Sequence, residues 1–282
     1  MKKRIAGWNK TDSLDAKGLA RLLQLGALPE VWIPPGPQRD LRNLMRSRLF
    51  VKQHQAGFKC RIHGLLNQYG LKEAISDEEG VEPRDWFSVK AQHQLMKAIE
   101  ALPSASREGV RQTYLVLREL ERTVSSLENA IEARIGSLGW MKLLRTIPGI
   151  GPILGATIWL EIGQVSRFPS AKHLASYAGL IPRTQSSGGR TWRGPTNRAC
   201  NHFLKWAFVE AANVIAAHHK RMAAKHPHVV DLYDRVKATT KIAGKAKVAV
   251  ARHLAESAWW VLTKKQFYRE PAPALVTSSN NG

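Results

Sequence analysis

Hydrophobic residues recur at helical spacing through most of the chain. Residues 12–26 predict a helix whose apolar positions are Leu14, Leu19, Leu22 and Leu23. The run from Pro34 to Pro37 breaks the pattern, and residues 38–70 then predict one long helix. Strict alternation of apolar and polar residues, which is typical of strands, is almost absent. We therefore predict a mainly α-helical protein.

A second long helix is predicted over residues 106–137. Its apolar residues repeat every seven positions, at Val110, Leu117, Val124 and Ile131. Such a heptad seam indicates a coiled-coil arm that joins copies of the chain. It also fits an antiparallel hairpin in which the two long helices pack on each other, and the two interpretations are compatible.

The remaining sequence predicts a compact C-terminal unit of short helices. We expect a Gly-rich loop at 186–194, a helix near 196–222 and a last helix near 243–265. Tryptophans on these apolar helices, such as Trp206, are predicted as core residues. The tail from residue 269 has the composition of a disordered segment.

The charge balance indicates a polyanionic partner. Lys and Arg number 43 against 22 Asp and Glu, which gives a formal net charge of +21. Acidic residues are absent between Glu161 and Glu210 and again between Asp234 and Glu256. The surface of a soluble protein usually mixes positively and negatively charged residues. We therefore predict nucleic-acid contacts in these blocks, at Arg198, Lys205, Lys241, Lys245 and Lys247.

Other features narrow the class of protein. A membrane surface is the other common partner of a basic protein, but these basic residues flank a Gly-rich loop and not an amphipathic helix alone. The sequence has no signal peptide, no apolar run that spans a bilayer and only two cysteines. These observations predict a cytoplasmic protein with no membrane partner, no disulfide scaffold and no cysteine-based zinc site.

Three segments carry candidate chemistry. The first, at 144–156, contains Pro148-Gly149-Ile150-Gly151-Pro152 and predicts the hairpin of a helix-hairpin-helix motif. Gly149 and Gly151 would let the backbone approach a phosphate, and the following helix would present free N–H groups to it. An ordinary tight turn between two helices is the alternative.

The second segment is a glycine-rich loop that contains Ser187. Gly188 and Gly189 follow this serine, and Arg183, Arg190 and Arg193 flank it. Guanidinium groups match phosphate oxygens, so the segment suits passive phosphate binding as well as nucleophilic attack on a phosphorus atom. The loop contains no histidine or carboxylate that could act as a base. The group that activates the serine would therefore have to come from elsewhere.

The third segment is Lys10-Thr11-Asp12-Ser13-Leu14-Asp15, at the start of the first helix. Carboxylates at i and i+3 share one side of a helix and suit a hard cation such as Mg²⁺. The alternative is that Asp12 only caps the helix and Asp15 complements its dipole.

These segments occur in the same order in one protein family. Residues 10–23, LLRTIPGIGPILGATIWLEIG and RFPSAKHLASYAGLIPRTQSSGGRTWRG resemble the DEDD-type insertion-sequence transposases, which are related to pilin-gene invertases and are bridge-RNA-guided recombinases. The resemblance extends from Lys10 to about Tyr268. It implies an N-terminal RuvC-like nuclease domain, a coiled-coil region and a helical C-terminal transposase domain with a helix-hairpin-helix motif.

The resemblance also implies a function for particular residues. Asp12 and Asp15 match the last two acids of a metal-binding tetrad for Mg²⁺. Ser187 matches a catalytic serine that joins covalently to DNA, with Ser186 as the neighbouring alternative and three arginines, Arg183, Arg190 and Arg193, as helpers. The expected partners are DNA, a guide RNA and further copies of the chain in a dimer or tetramer.

The resemblance further predicts the domain boundaries. Residues 1–33 would be a remnant of the nuclease domain, 34–137 the coiled-coil region, 138–268 the transposase domain and 269–282 the tail. The strands that carry the first two acids of the tetrad precede the K-T-D segment in the family, whereas only MKKRIAGW precedes residue 9 in this sequence. We therefore expect an N-terminally truncated chain, which is either a transposase or a catalytically incomplete nucleic-acid-binding remnant.

Overall fold

The computed structural model describes residues 11–28, 31–72, 75, 83, 85–187 and 190–270, with the backbone alone at 183–187, 190–193 and 195. The chain divides into two compact units, residues 1–36 and 37–282. Across these described ranges, every helix is too short or too polar to span a bilayer.

The first unit contains one described helix, α1 (Asp12–Gln24), where the sequence predicts it. Thr11 is its N-cap, and the Thr11 hydroxyl accepts the Leu14 N–H at 3.3 Å. Leu14, Leu19 and Leu23 are exposed. The helix therefore begins through a hydroxyl cap, which satisfies one of the free N–H groups of its first turn.

Two long antiparallel helices begin the second unit. They are α2 (Gly36–Gln68) and α4 (Ser104–Ile135), with the short α3 (Gln92–Glu100) between them in sequence. Arg48 Nε lies 2.9 Å from the Glu128 carboxylate, and the Tyr69 hydroxyl lies 2.9 Å from the Ser106 hydroxyl at the other end. This pairing of early with late residues confirms the predicted antiparallel hairpin.

The heptad positions of α4 are buried within this hairpin. The buried seam residues are Val110, Leu117, Val124 and Ile131. Val110 and Leu117 share an apolar cluster with Ile62 of α2 and Leu95 of α3. The chain's own helices thus cover the seam, and its use as a coiled-coil arm between copies stays a prediction.

A helical bundle forms the rest of the second unit. Its helices are α5 (Gly139–Leu144), α6 (Pro152–Ile162), α7 (Ala171–Tyr177), α8 (His202–Ala217), α9 (His219–Lys225), α10 (Pro227–Thr240) and α11 (Ala243–Lys264). Phe208 of α8 and Leu254 of α11 are fully buried in the main core. The last helix lies where the sequence predicts it. The helix predicted near 196–222 is instead two helices that meet at His218.

The long helical hairpin and the bundle contribute residues to a common apolar cluster. Met45 of α2 and Ile131 of α4 belong to one apolar cluster with Met141, Ala156 and Leu160 of the bundle. Both lie in a single compact unit. The predicted domain boundary at 137/138 and the nuclease-domain remnant over 1–33 stay predictions.

Candidate catalytic hairpin and nucleic-acid interface

The segment predicted as a Gly-rich loop forms a β-hairpin. Strands β1 (Pro182–Ser187) and β2 (Arg190–Thr196) pair antiparallel, with Cα partners Ser187↔Arg190, Ser186↔Thr191 and Thr184↔Arg193. The loop prediction is therefore wrong for these residues. Threonine and tryptophan favour a strand, and pairing satisfies the backbone without the apolar alternation that usually marks one. Gly188 and Gly189 lie outside the described residues.

The register decides which candidate residues are neighbours. Ser187 ends β1 and Arg190 begins β2, so these two residues face each other at one end of the hairpin. Arg193 lies opposite Thr184, about 10 Å along the strand from Ser187. Arg183 lies at an irregularity in the pairing between Pro182 and Thr184. Of the three predicted arginines, Arg190 is thus the closest to Ser187 along the ladder.

Close contacts at its base hold the hairpin in place. The Asn201 N–H donates to the Tyr177 carbonyl at 2.8 Å. Asn201 Oδ1 caps α8 by accepting the N–H groups of Phe203 and Leu204 at 3.1 and 3.0 Å. Gly179 has φ +66°, and a Cβ there would lie 2.5 Å from the Cys200 sulfur. The two ends of the segment that contains the hairpin therefore lie close together where they join the bundle.

A buried carboxylate supports this base. Glu161 of α6 is 2% exposed and accepts Arg46 Nε and Nη2 at 2.9 and 3.0 Å and Asn201 Nδ2 at 2.8 Å. Arg42 forms a further ion pair with it. Burial alone would raise the pKa of Glu161, but the hydrogen bonds from Arg46, Asn201 and Arg42 outweigh it and lower the pKa from its ordinary value.

The Glu161 network joins three parts of the second unit. Arg42 and Arg46 come from α2, Glu161 from α6, and Asn201 from the start of α8. Sequence reasoning missed this network. One signal could have found it: Glu161 lies within the largely apolar helix α6 and immediately precedes the acid-free block. A carboxylate in such a place needs partners, because an unpaired buried charge is costly.

The two glycines of the P-G-I-G segment have different surroundings. Gly149 has φ +77°, and a Cβ there would lie 2.4 Å from the Ala211 carbonyl oxygen of α8. Gly151 is the N-cap of α6, and its Cβ position is open. The lack of a side chain at Gly149 therefore serves packing on α8. The open position at Gly151 leaves space for a ligand beside the start of α6.

A basic cleft of about 530 Å³ lies beside this turn. Residues 145–154 line one part of it, and Arg221, Lys225 and His226 line another. Arg145, Arg221 and Lys225 are exposed. The cleft thus combines a helix N-terminus with cationic side chains, which suits an anionic ligand such as a phosphodiester. Sequence reasoning missed Arg221 and Lys225, because they come from α9, far along the chain.

The C-terminal segment packs next to the same cleft. The Tyr268 N–H donates to the Thr146 hydroxyl at 2.9 Å, and Glu270 Oε1 lies 3.1 Å from His226 Nδ1. The other Glu270 oxygen accepts the His228 N–H at 3.2 Å. Burial, reinforced by Glu270, raises the pKa of Tyr268. Glu270 is therefore anchored although the sequence places it in the disordered tail, and residues 271–282 lie outside the described part.

The other predicted nucleic-acid contacts fall into two groups. Arg198 and Lys205 flank the end of β2, where Lys205 Nζ donates to the Thr196 hydroxyl at 2.8 Å. Lys241, Lys245 and Lys247 cluster around the α10–α11 junction. Lys241 and Lys245 are exposed there. Both groups can contact a polyanion.

Asp12 and Asp15 lie in the first turn of α1. The cap is Thr11, so the alternative in which Asp12 caps the helix is wrong. Asp12 is exposed and Asp15 half-buried. Within the residues that the structure describes, these two carboxylates are not part of any group of three or more potential metal ligands. They suit a hydrated Mg²⁺, which typically takes one or two carboxylates and keeps several waters.

Sequence comparisons relate the chain to transposases. Residues 141–227 match the Transposase IS116/IS110/IS902 family, a range that includes the P-G-I-G turn and the hairpin. The transposase for insertion sequence element IS1111A of Coxiella burnetii is 23% identical over 93% of this chain and 69% of its own length. A 43.6 kDa protein of insertion element IS110 from Streptomyces coelicolor is 32% identical over 75% of this chain and 54% of its own.

A shorter stretch of the chain has a higher identity to another protein. The pilin gene-inverting protein of Moraxella bovis is 59% identical over 46 residues, which are 16% of this chain and 14% of that protein. The chain is thus similar in sequence to transposases of insertion sequences and, over this shorter stretch, to a pilin gene-inverting protein.

Proposed function

We propose that this protein is a transposase of an insertion sequence that cleaves and rejoins DNA strands through a covalent link to Ser187. The observation that carries the proposal is the register of the hairpin. It places Ser187 next to Arg190 at one end of a strand pair, within the segment that matches the transposase family. Ser186, whose cross-strand partner is Thr191, is the alternative nucleophile.

The proposed reaction is a transesterification at phosphorus. The Ser187 hydroxyl oxygen would form a bond to phosphorus as one P–O bond of the DNA strand breaks. The serine proton passes to a base, and the leaving DNA oxygen takes up a proton and departs as a hydroxyl. Rejoining reverses the step with the hydroxyl of another strand end, so that no phosphodiester is hydrolysed.

Arginine supplies the charge stabilisation that this step needs. Negative charge builds up on the phosphoryl oxygens in the transition state, and a guanidinium can bind two of them at once. Arg190 is the first candidate because of its register, and Arg183 and Arg193 would bind the phosphates that follow along the strand.

Asp12 and Asp15 would hold Mg²⁺. When bound, this ion would stabilise developing oxyanions and lower the pKa of a coordinated water. We propose that a guide RNA and further copies of the chain, as a dimer or tetramer, complete the assembly.

The basic cleft beside the P-G-I-G turn and the basic clusters would hold the DNA. At the P-G-I-G turn, the N–H groups at the start of α6 and the side chains of Arg145, Arg221 and Lys225 would bind the sugar-phosphate backbone, as in a helix-hairpin-helix motif. Such contacts fix the position of the DNA but do not read its sequence.

A non-enzymatic nucleic-acid-binding protein is the second candidate. It is favoured by the extensive basic surface and by the acidic residues, which within the described ranges form no group of three or more potential metal ligands. This candidate predicts DNA binding without strand cleavage.

A trapping assay separates the two candidates. The protein is incubated with Mg²⁺, guide RNA and DNA that carries the ends of its insertion sequence, and is then denatured and separated by gel electrophoresis. A protein–DNA adduct that survives denaturation supports the transposase, and its loss in Ser187→Ala supports the nucleophile. A protein that binds the DNA but forms no adduct is the second candidate. An undiminished adduct in Ser187→Ala, together with its loss in Ser186→Ala, transfers the assignment to Ser186.

A further inference from the structure

A second cleft lies between α2 and α8, away from the P-G-I-G turn. Its volume is about 1000 Å³, and we call it the α2–α8 cleft. Three aromatic residues line it: Phe50 of α2 and Phe203 and Trp206 of α8. Its cationic residues are Arg46 and Lys52. Nothing in the proposed reaction uses this cleft.

Phe50 exposes much of its ring to solvent, whereas Phe203 and Trp206 are half-buried. Phe50 is 62% exposed, although it is a large apolar residue in the middle of a long helix. Trp206, which the sequence predicts as core, is half-buried against the main core and also borders the cleft. The Arg46 guanidinium lies 4.4 Å from the centre of the Phe203 ring. Aromatic faces beside cations are the surfaces on which unpaired nucleobases stack.

The charge around the cleft favours an anionic occupant. Among the described residues that line it, none is acidic. The pKa of Lys52 is lowered, first by burial and then by the neighbouring charges of Arg48 and Lys59, although Glu128 and Glu121 act in the opposite direction. A phosphate group beside Lys52 would stabilise its charged form.

The cleft continues along α2. Phe50 and Gln53 also line a neighbouring cleft of about 680 Å³, which extends to Arg61 of α2 and Thr113 of α4. From Arg46 to Arg61 the helix rises about 22 Å. This length accommodates an extended strand of several nucleotides, with cations near both ends and aromatic rings between them.

We infer that the α2–α8 cleft binds single-stranded DNA, with bases stacked on Phe50 and phosphates near Arg46 and Lys52. A duplex does not fit this chemistry, because its bases are already stacked and paired. We choose DNA as the occupant because the cleft is connected to the hairpin. Arg46 also binds Glu161, which in turn binds Asn201 at the base of the hairpin. The cleft therefore adjoins the hairpin on which strand cleavage is proposed, and this choice of DNA rests on the proposed function.

The first test measures equilibrium binding of short single-stranded oligonucleotides by fluorescence anisotropy at fixed salt. Phe50→Ala should weaken the binding of oligothymidylate about tenfold, because one stacking surface is lost. Phe50→Trp should restore it. Phe267→Ala is the matched control, since Phe267 is also a phenylalanine with 62% exposure but lies on the C-terminal segment. It should bind like the unaltered protein, and binding of a duplex should be the same in all of these variants.

Photo-crosslinking then locates the strand. Oligothymidylate with 5-iododeoxyuridine is irradiated with the full chain, and the tryptic peptides are identified by mass spectrometry. The crosslinks should fall in peptides 49–52, 199–205 and 206–220, which contain Phe50, Phe203 and Trp206.

Four results would overturn the inference. The first is equal binding of oligothymidylate by Phe50→Ala and Phe267→Ala, and the second is a set of crosslinks confined to other peptides. The third is tighter binding of oligouridylate through Phe50, which would assign the cleft to RNA. The fourth is a concentration-dependent dimer that Phe50→Ala abolishes, which would assign the cleft to a second copy. The binding test involves no strand cleavage, so failure of the adduct assay leaves its outcome unaffected.

Discussion

Among the acidic residues that the structure describes, Glu161 should be the one whose substitution lowers the stability of the protein most. The change Glu161→Gln keeps the shape of the side chain but removes its charge. It removes the carboxylate charge that pairs with Arg42, whose side chain is 9% exposed. Arg46 is 37% exposed and can recover part of its hydration.

The size of the effect follows from these exposures. Breaking a buried ion pair typically costs 3–5 kcal/mol, and the partial exposure of Arg46 points to the lower end, about 3 kcal/mol. For a unit of this size, that loss corresponds to a fall in Tm of about 6–12 °C. Asn201 also loses a charged acceptor, so the base of the hairpin should loosen.

The assay is urea unfolding at neutral pH, followed by circular dichroism. Glu119→Gln is the control, because Glu119 forms an exposed ion pair with Arg122 at 3.0 Å, with side-chain exposures of 67% and 79%. It should change the free energy of unfolding by less than about 1 kcal/mol. If Glu161→Gln costs no more than Glu119→Gln, the buried network does not stabilise the fold.

The pH dependence provides a second check on Glu161. Its pKa in the folded protein is lowered from the ordinary value of 4.5, so its stabilising contribution is complete above that value. The contribution is lost as the pH falls from 4.5 through the lowered pKa. The difference in unfolding free energy between the unaltered protein and Glu161→Gln should therefore be constant near neutral pH and shrink in acid. A difference that grows in acid would contradict this sign.

The remaining predictions concern the P-G-I-G turn and its cleft. Gly149→Ala should cost about 3 kcal/mol or more in urea unfolding, because it combines a positive φ with a clash against the α8 backbone. Gly151→Ala should cost less than about 1 kcal/mol, since its Cβ enters open space. Equal costs would show that Gly149 does not pack as described. Arg221→Ala and Lys225→Ala should each weaken duplex DNA binding irrespective of sequence and reduce the slope of log affinity against log salt by about 1. An unchanged slope would remove these two residues from the interface.

The periodicity of apolar residues in the sequence was sufficient to predict the long helices. The heptad of α4 and the apolar pattern near 243–265 depend on many residues at once, and both helices lie where they are predicted. The β-hairpin was missed because its strands are polar, so that backbone pairing rather than an apolar face defines them. A strand of this kind leaves almost no periodic signal in the sequence.

The candidate site was predictable only in part. Ser187 and Arg190 were identified from their place around two glycines, and the hairpin register makes them neighbours. The Glu161 network could not be predicted, since its partners are separated by 40 to 119 positions in sequence. Gly149 was predicted to let the backbone approach a phosphate. Its contact with α8 could not be predicted, because it depends on tertiary packing that a local motif does not encode.

The most direct test of the central claim is to identify the residue that carries the DNA. The adduct formed with Mg²⁺, guide RNA and DNA is digested with trypsin and nuclease, and the modified peptide is sequenced by mass spectrometry. We predict a nucleotide remnant on peptide 184–190, attached to Ser187. A remnant on any residue outside this peptide would contradict the assignment of the hairpin as the catalytic element.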